Sequence, residues 1–414
     1  MYEILPEIFT LSNGMRVVYL HANAQVAHLG VTVLAGSRFE QSNENGLAHF
    51  LEHCIFKGTT NRKTFHVLSR LDSVGGELNA YTAKEELCVY ASFSKEHIVR
   101  ASELLSDIML NSNFPDKEIK KEKEIIIDEI NSYLDSPSDK IFDDFEAMIF
   151  KGHALGNNIL GTRDSVQSFT REHLLEFMKR SFTADNMVIS FVGDISKHRL
   201  ERMLETHFGA CAPGKHKHTP ELFEPLPTFH KRSKEANYQV HAIIGGMAPG
   251  YKDDERRGMA LLTNILGGPA LNSRLNLSIR EKYGYSYNVE AGYTSYADTG
   301  YWSVYFGTDQ KYVDKSLALV QKELKLLCEK KLGVLQLNQA KEQLKGYLAL
   351  SLDSNSGLML GLGKSLLLFD QIDTIAEICD GIDELTSSQL LEIANQFFAT
   401  EHCSDLVFDL QEAD

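Results

Sequence analysis

No pair among the six cysteines is spaced C-x-x-C; Cys54, Cys88, Cys211, Cys328, Cys379 and Cys403 are scattered along the chain. That spacing argues against a disulfide framework or a cysteine-held zinc knot, and reads as buried thiols in a reducing compartment. Apolar runs are short, and none approaches the length that spans a bilayer. The N-terminal MYEILPEIFTL lacks a basic stretch followed by an apolar one, so no export signal is read there. Positive charge is also scarce: 42 Lys and Arg face 57 Asp and Glu, a net charge of −15. Sequence-independent binding to nucleic acid or an anionic membrane is therefore not expected, whereas basic peptides would suit the surface. The expectation is a bacterial cytoplasmic protein.

Proline is sparse as well, with nine in 414 residues. Four of them, Pro213, Pro220, Pro225 and Pro227, fall within fifteen residues, in PGKHKHTPELFEPLP. This is linker composition. It predicts domains at 1–212 and 232–414 about a linker at 213–231, with His216 and His218 solvated inside it. A hydrophobic content of 43% gives ample core for two domains.

What the chain does have is GLAHFLEHCIFKG, residues 46–58. Leu47, Phe50, Leu51, Cys54 and Ile55 follow helical spacing and form an apolar stripe, while His49, Glu52, His53 and Phe56 share another side. Two imidazoles four apart on a helix converge on one tetrahedral zinc ion and leave room for a third protein ligand. Glu52 is placed to take a proton from a water whose pKa the metal has lowered. H-x-x-E-H is the inverse of the commoner zincin order. The plainer alternative is a half-exposed helix whose histidines bond to loops.

A third ligand would have to be another His or a carboxylate. The helical stretch Lys117 to Leu134 carries Glu122 and Glu129, seven apart and on nearly one face. One of them could ligate and the other support it. The bland reading of either is a solvated charge.

These motifs resemble the pitrilysin and insulinase clan of zinc peptidases, in its two-domain processing-peptidase-like branch. In that clan H-x-x-E-H is completed by a glutamate roughly 70 to 80 residues on, and His53 and Glu129 are 76 apart. LSNGMRVVYL, LAGSRFE, FKGT, GGELNAYTAKEELCVY, HALGNNILGT and DNMVISFVGD carry the likeness further. The resemblance implies one zinc per chain held by His49, His53 and Glu129, Glu122 as a supporting carboxylate, and Glu52 as general base. It implies that Asn79, Ala80 and Tyr81 form an edge strand receiving an extended peptide. Phe56 is placed either for a substrate pocket or for the core. The resemblance further implies that Arg280 and Tyr287 hold substrate and polarise the scissile carbonyl, with Arg274 the lesser alternative to Arg280. Asp139 and Asp143 resemble positions that hold a substrate arginine in the mitochondrial processing branch; a solvated acidic face is the plainer reading.

The second half echoes the first. VHAIIGGMAPGYKDDERRGMALLTNILGG follows the pattern of VAHLGVTVLAGSRFEQSNENGLAHFLEHCIFKG, with Leu261, Asn264 and Ile265 opposite His49, Glu52 and His53, and Gln343 near the equivalent of Glu129. Apolar and alternating runs at Val17 to Leu20, Leu29 to Leu34, Leu87 to Phe93 and Met187 to Val192 predict strands. The expected fold is α+β, two duplicated domains, each an antiparallel-rich sheet with helices on one face. The expected activity is zinc-dependent endopeptidase, as a homodimer or paired with a homologous subunit; the alternatives are a non-catalytic peptide-holding subunit or a zinc hydrolase of small molecules. GLMLGLGKSLLLF contains GKS, but lacks the P-loop's first glycine and its strand-loop-helix setting, so no ATP site is read there.

Overall fold

The computed structural model describes residues 5–214, 221–351 and 353–411. His216, His218 and Pro220, with most of the stretch before Glu221, lie outside the described residues. The strands are β1 (Glu7–Thr10), β2 (Arg16–His21), β3 (Val26–Val33), β4 (Glu77–Thr82), β5 (Leu87–Ser94) and β6 (Met187–Gly193), then β7 (His230–Glu235), β8 (Val240–Ala248), β9 (Val289–Ser295), β10 (Gly300–Thr308) and β11 (Ser404–Leu410). The first eight helices are α1 (Leu47–Cys54), α2 (Thr64–Asp72), α3 (Ile98–Asn111), α4 (Asp116–Leu134), α5 (Pro137–Ile149), α6 (Arg163–Ser168), α7 (Arg171–Ser181) and α8 (Lys197–Phe208). Six follow: α9 (Arg256–Gly267), α10 (Val313–Glu329), α11 (Val334–Ser351), α12 (Asn355–Phe369), α13 (Ile375–Glu384) and α14 (Ser387–Phe398).

The first sheet runs β1-β2-β6-β3-β5-β4 and the second β7-β11-β8-β10-β9. Remove β1 and the two orders are the same, each with a single parallel pair, β2 with β6 and β7 with β11. All other pairs are antiparallel. This is the α+β, antiparallel-rich duplication that the echoing halves predict. The four strand runs read from the sequence are β2, β3, β5 and β6.

Alternation along each strand decides which layer a residue joins. In the first unit Val17, Tyr19, Leu29, Val31, Val89 and Phe191 face one core with Leu47, Phe50 and Leu51 of α1 and Leu104 and Ile108 of α3. Their neighbours Val18, Leu20, Val188 and Val192 point the other way, onto Met359, Leu366 and Leu367 of α12. In the second unit Ala242, Ile244, Val304 and Phe306 pack on α9, α10 and α14, while Ile243, Tyr305, Leu406 and Phe408 meet Ile141, Phe145 and Ile149 of α5. Each sheet thus gains one helix on its second face, an addition to the expected layering.

Those two helices are exchanged along the sequence. The first compact unit comprises 1–131, 157–221 and 351–374, and the second 132–156, 222–350 and 375–414. The contiguous division at 1–212 and 232–414 differs from these units, because burial of a sheet face takes no account of chain order. The GKS segment is one of the exchanged helices. Gly363 sits where a Cβ would lie 2.9 Å from both Thr32 Oγ1 and Ser190 Oγ, and a Cβ on Gly30 of β3 would lie 2.5 Å from Met359 Sδ. Gly363 thus serves close helix-sheet approach, and Lys364 pairs with the buried Glu86 at 2.7 Å.

Candidate metal centre

α1 presents its stripe to the core as the spacing predicts: Leu47, Phe50, Leu51 and Cys54 are buried, and His49, also buried, lies on the side that meets α4. α4 is long because its interior holds no Gly or Pro and its outer face is charged. Side by side, the two helices bring the predicted ligands together. His49 Nε2 is 3.8 Å and His53 Nε2 3.5 Å from Glu129 Oε2. One donor atom from each of the three lies within 4.8 Å of the others, a grouping that could hold a metal ion.

The donor set fits zinc. Tetrahedral bonds of about 2.0–2.2 Å put ligand atoms roughly 3.3–3.6 Å apart, so the observed spacing needs only a small closure. Charge and tautomer agree. Burial, then the neighbouring His53, pushes His49 down to about 4, so its imidazole is neutral and free to ligate. The Nδ1 of His53 faces Glu122 Oε2 at 3.2 Å, which leaves Nε2 directed at Glu129. Among the described residues His49 has no such holder; its Nδ1 is buried without a hydrogen-bond partner there.

Glu122 is itself held. Lys57 donates to its other oxygen at 2.9 Å. Burial pushes the Glu122 carboxyl up, but the bonds from His53 and Lys57 outweigh it and keep the pKa below the ordinary value. In the sequence Lys57 stands within FKGT, and its position four residues after His53 is the one signal that points to it. Glu52 goes the other way: burial raises its pKa, and Thr82 beside the carboxylate offsets only part of this. A carboxylate raised towards neutrality is suited to accept and return a proton.

Thr82 ends β4, and among the described residues β4 is the edge of its sheet, paired with β5 alone. Asn79, Ala80 and Tyr81 therefore occupy an edge strand that runs towards Glu52. Phe56 and Ala80 are half-buried and pack against the main core of this unit, so the core side of the Phe56 alternative is what the contacts show.

The remaining candidates belong to the second unit. Arg280 lies over the ring of Tyr287 at 4.5 Å, and Tyr287 is 82% exposed. Arg274 is instead drawn inward, 3.7 Å from Glu323, with burial lowering its pKa. Asp139 accepts from Ser136 Oγ at 2.5 Å at the start of α5, and Asp139 and Asp143 act electrostatically on Tyr305 and Tyr301. α9 packs on β9 as α1 packs on β4. Leu261 and Asn264 are buried in it without any ligand chemistry, and Gln343 of α11 donates to Asn272 at 3.1 Å.

Comparison with known proteins gives the family. Residues 16–163 match the model of Insulinase (Peptidase family M16), and residues 168–344 that of the Peptidase M16 inactive domain. A Bacillus subtilis protein named as an uncharacterized zinc protease, YmxG, is 33% identical over 96% of this chain and 97% of its own length. The chain belongs to the insulinase family, peptidase family M16. A Mycobacterium leprae relative of this family, also named as an uncharacterized zinc protease, is 32% identical over 94% of this chain and 88% of its own. The crystal structure of a peptidase M16 inactive domain from Pseudomonas fluorescens superposes with a TM-score of 0.91 at 18% identity, covering 99% of both chains. A protease from Helicobacter pylori gives 0.89 at 20%, covering 99% of this chain and 100% of that one. These two share the insulinase-family fold. No helix among the described residues is long and apolar enough to cross a membrane.

Proposed function

We propose that the protein is a zinc-dependent endopeptidase of the H-x-x-E-H type, acting on peptides or unfolded segments. One observation carries the reading: His49, His53 and Glu129 converge within a few ångströms, with Glu52 beside them and an unpaired strand edge alongside. Zinc at that point would supply the Lewis acidity that makes a water nucleophilic near neutral pH. Glu52 takes the proton from the attacking water and returns it to the leaving amine nitrogen. Glu122, fixed by Lys57, holds the His53 ring in its ligating orientation. The backbone of β4 at Asn79, Ala80 and Tyr81 pairs with the substrate as an added strand, which favours extended chains over folded ones.

The same reading includes a homodimer, or a pair with a homologous subunit, in which Arg280 and Tyr287 of the second copy stabilise the developing oxyanion. It is supported by a guanidinium held over an exposed phenol with no buried structural task. The reading also includes a basic residue on the N-terminal side of the cut, met by Asp139 and Asp143; a peptide-library profile without that bias would remove this part. Six free cysteines suit a reducing bacterial cytoplasm.

The test pairs wild type with Glu52→Gln, measuring zinc content and cleavage of a quenched fluorogenic peptide. The variant is expected to keep zinc and lose cleavage. Wild type that binds zinc yet cuts nothing in a diverse library would turn the reading to a peptide-holding subunit.

A further inference from the structure

α1 is eight residues long, and His49 is its third residue. A metal ligand therefore stands in the first turn of a two-turn helix, the turn whose amides lack partners within the helix. Most helix starts meet this need with a local Ser, Thr, Asp or Asn. Thr162, Thr170 and Thr386 do so here for α6, α7 and α14. At α1 the capping position is Gly46, which has no side chain to offer and a φ of +93°.

The missing acceptors come from upstream. Glu40 Oε2 accepts from the Gly46 amide at 3.0 Å, and Glu40 Oε1 from the Ala48 amide at 2.8 Å. Gly46 is also held from behind, since a Cβ on it would lie 2.7 Å from Gly161 Cα. We infer that Glu40 is a positioning residue for the metal centre: by bonding both amides it fixes where α1 begins and so where His49 stands relative to Glu129. The inference rests on the zinc reading above.

Both oxygens are engaged, and each keeps a lone pair whether or not the carboxyl carries a proton. That matters because burial pushes Glu40 up to about 8 despite the two amide bonds. A glutamine in its place has one acceptor oxygen, so one of the two amides loses its partner. Alanine removes both. Unwinding of this turn would carry His49 away, whereas His53, a full turn further on and anchored by Glu122, would stay.

The experiment measures zinc affinity by competition with a chromophoric chelator, and thermal unfolding with and without zinc, on the full chain. The variants are Glu40→Gln and Glu40→Ala, with Thr170→Ala as a control that uncaps α7, a neighbour of α1, without touching α1 itself. Expected is a zinc affinity about tenfold weaker for Glu40→Gln, comparable to losing a group that orients a ligand, and weaker again for Glu40→Ala. Thr170→Ala should lower the unfolding temperature and leave zinc affinity as in wild type. Equal affinity in wild type and both Glu40 variants would overturn the inference. So would a loss in Thr170→Ala as large as in Glu40→Ala, which would mark the effect as general loosening. If Glu40→Ala does not fold, the near-isosteric Glu40→Gln decides. Wild type that takes up no zinc would remove the zinc reading itself, a result distinct from any difference among variants.

Discussion

Lys57, in the turn that follows α1, forms a 2.9 Å ion pair with Glu122, and the Glu122 oxygen that Lys57 leaves free faces His53 Nδ1. Orientation of the ligand thus depends on a lysine that touches neither metal position nor substrate edge. Replacing Lys57 with Met frees Glu122 to rise in pKa and to turn away. Zinc affinity should fall by about tenfold, with a smaller loss in Lys57→Arg, as read by chelator competition.

Acid should weaken the metal-free protein through His49. Its pKa is lowered from 6.5 to about 4 by burial and then by His53. Between those values the unfolded chain binds a proton at this site that the native state refuses, so stability is present above pH 6.5 and is lost as pH falls towards 4. The loss is on the order of 3 kcal/mol at full effect. Urea unfolding of the metal-free protein across this range should show it, and His49→Gln should show a correspondingly flatter pH dependence.

Arg280 and Arg274 separate by readout. Arg280, partly exposed over Tyr287, has no buried partner, so Arg280→Ala should leave the unfolding temperature unchanged and lower kcat by about a hundredfold, as for loss of one oxyanion donor. Arg274 is tied to Glu323. Arg274→Ala should lower the unfolding temperature, and any fall in activity should follow the folded fraction. Steady-state kinetics with thermal melts checks both.

Met359 is fully buried against Leu20 and Val192 of the first unit, although it lies in the last quarter of the sequence. Met359→Ala should cost about 2–5 kcal/mol in urea unfolding. The loss should appear in the unit that holds His49 and His53, read by hydrogen exchange of β2 and β6.

The residues that converge were legible in part: a four-residue step puts His49 and His53 on one helix face, and a seven-residue step narrows the third group to Glu122 or Glu129, a choice that the family resemblance and not the spacing makes. The strands were legible where one or both faces are buried, as in β2 and β6. The exchange of α5 and α12 was not. α12 is apolar nearly all round, so periodicity gave it no preferred face, and nothing in the sequence marks Gly363 as the point of close packing at Thr32 and Ser190. Glu40 was hidden for another reason. Its partners are backbone amides, which leave no trace in side-chain spacing. Proline clustering marked where the chain changes composition, and says nothing about which sheet a distant helix covers.

That exchange sets an order on synthesis. When the ribosome has released β6, every strand of the first sheet is available, yet Val18, Leu20, Val188 and Val192 have nothing to cover them until α12 emerges, more than 150 residues later. For that interval the half-built unit carries an apolar sheet face in water, the kind of surface on which chaperones act and nascent chains aggregate. A protein shortened before residue 355 would have His49, His53 and Glu129 and no finished domain to hold them together.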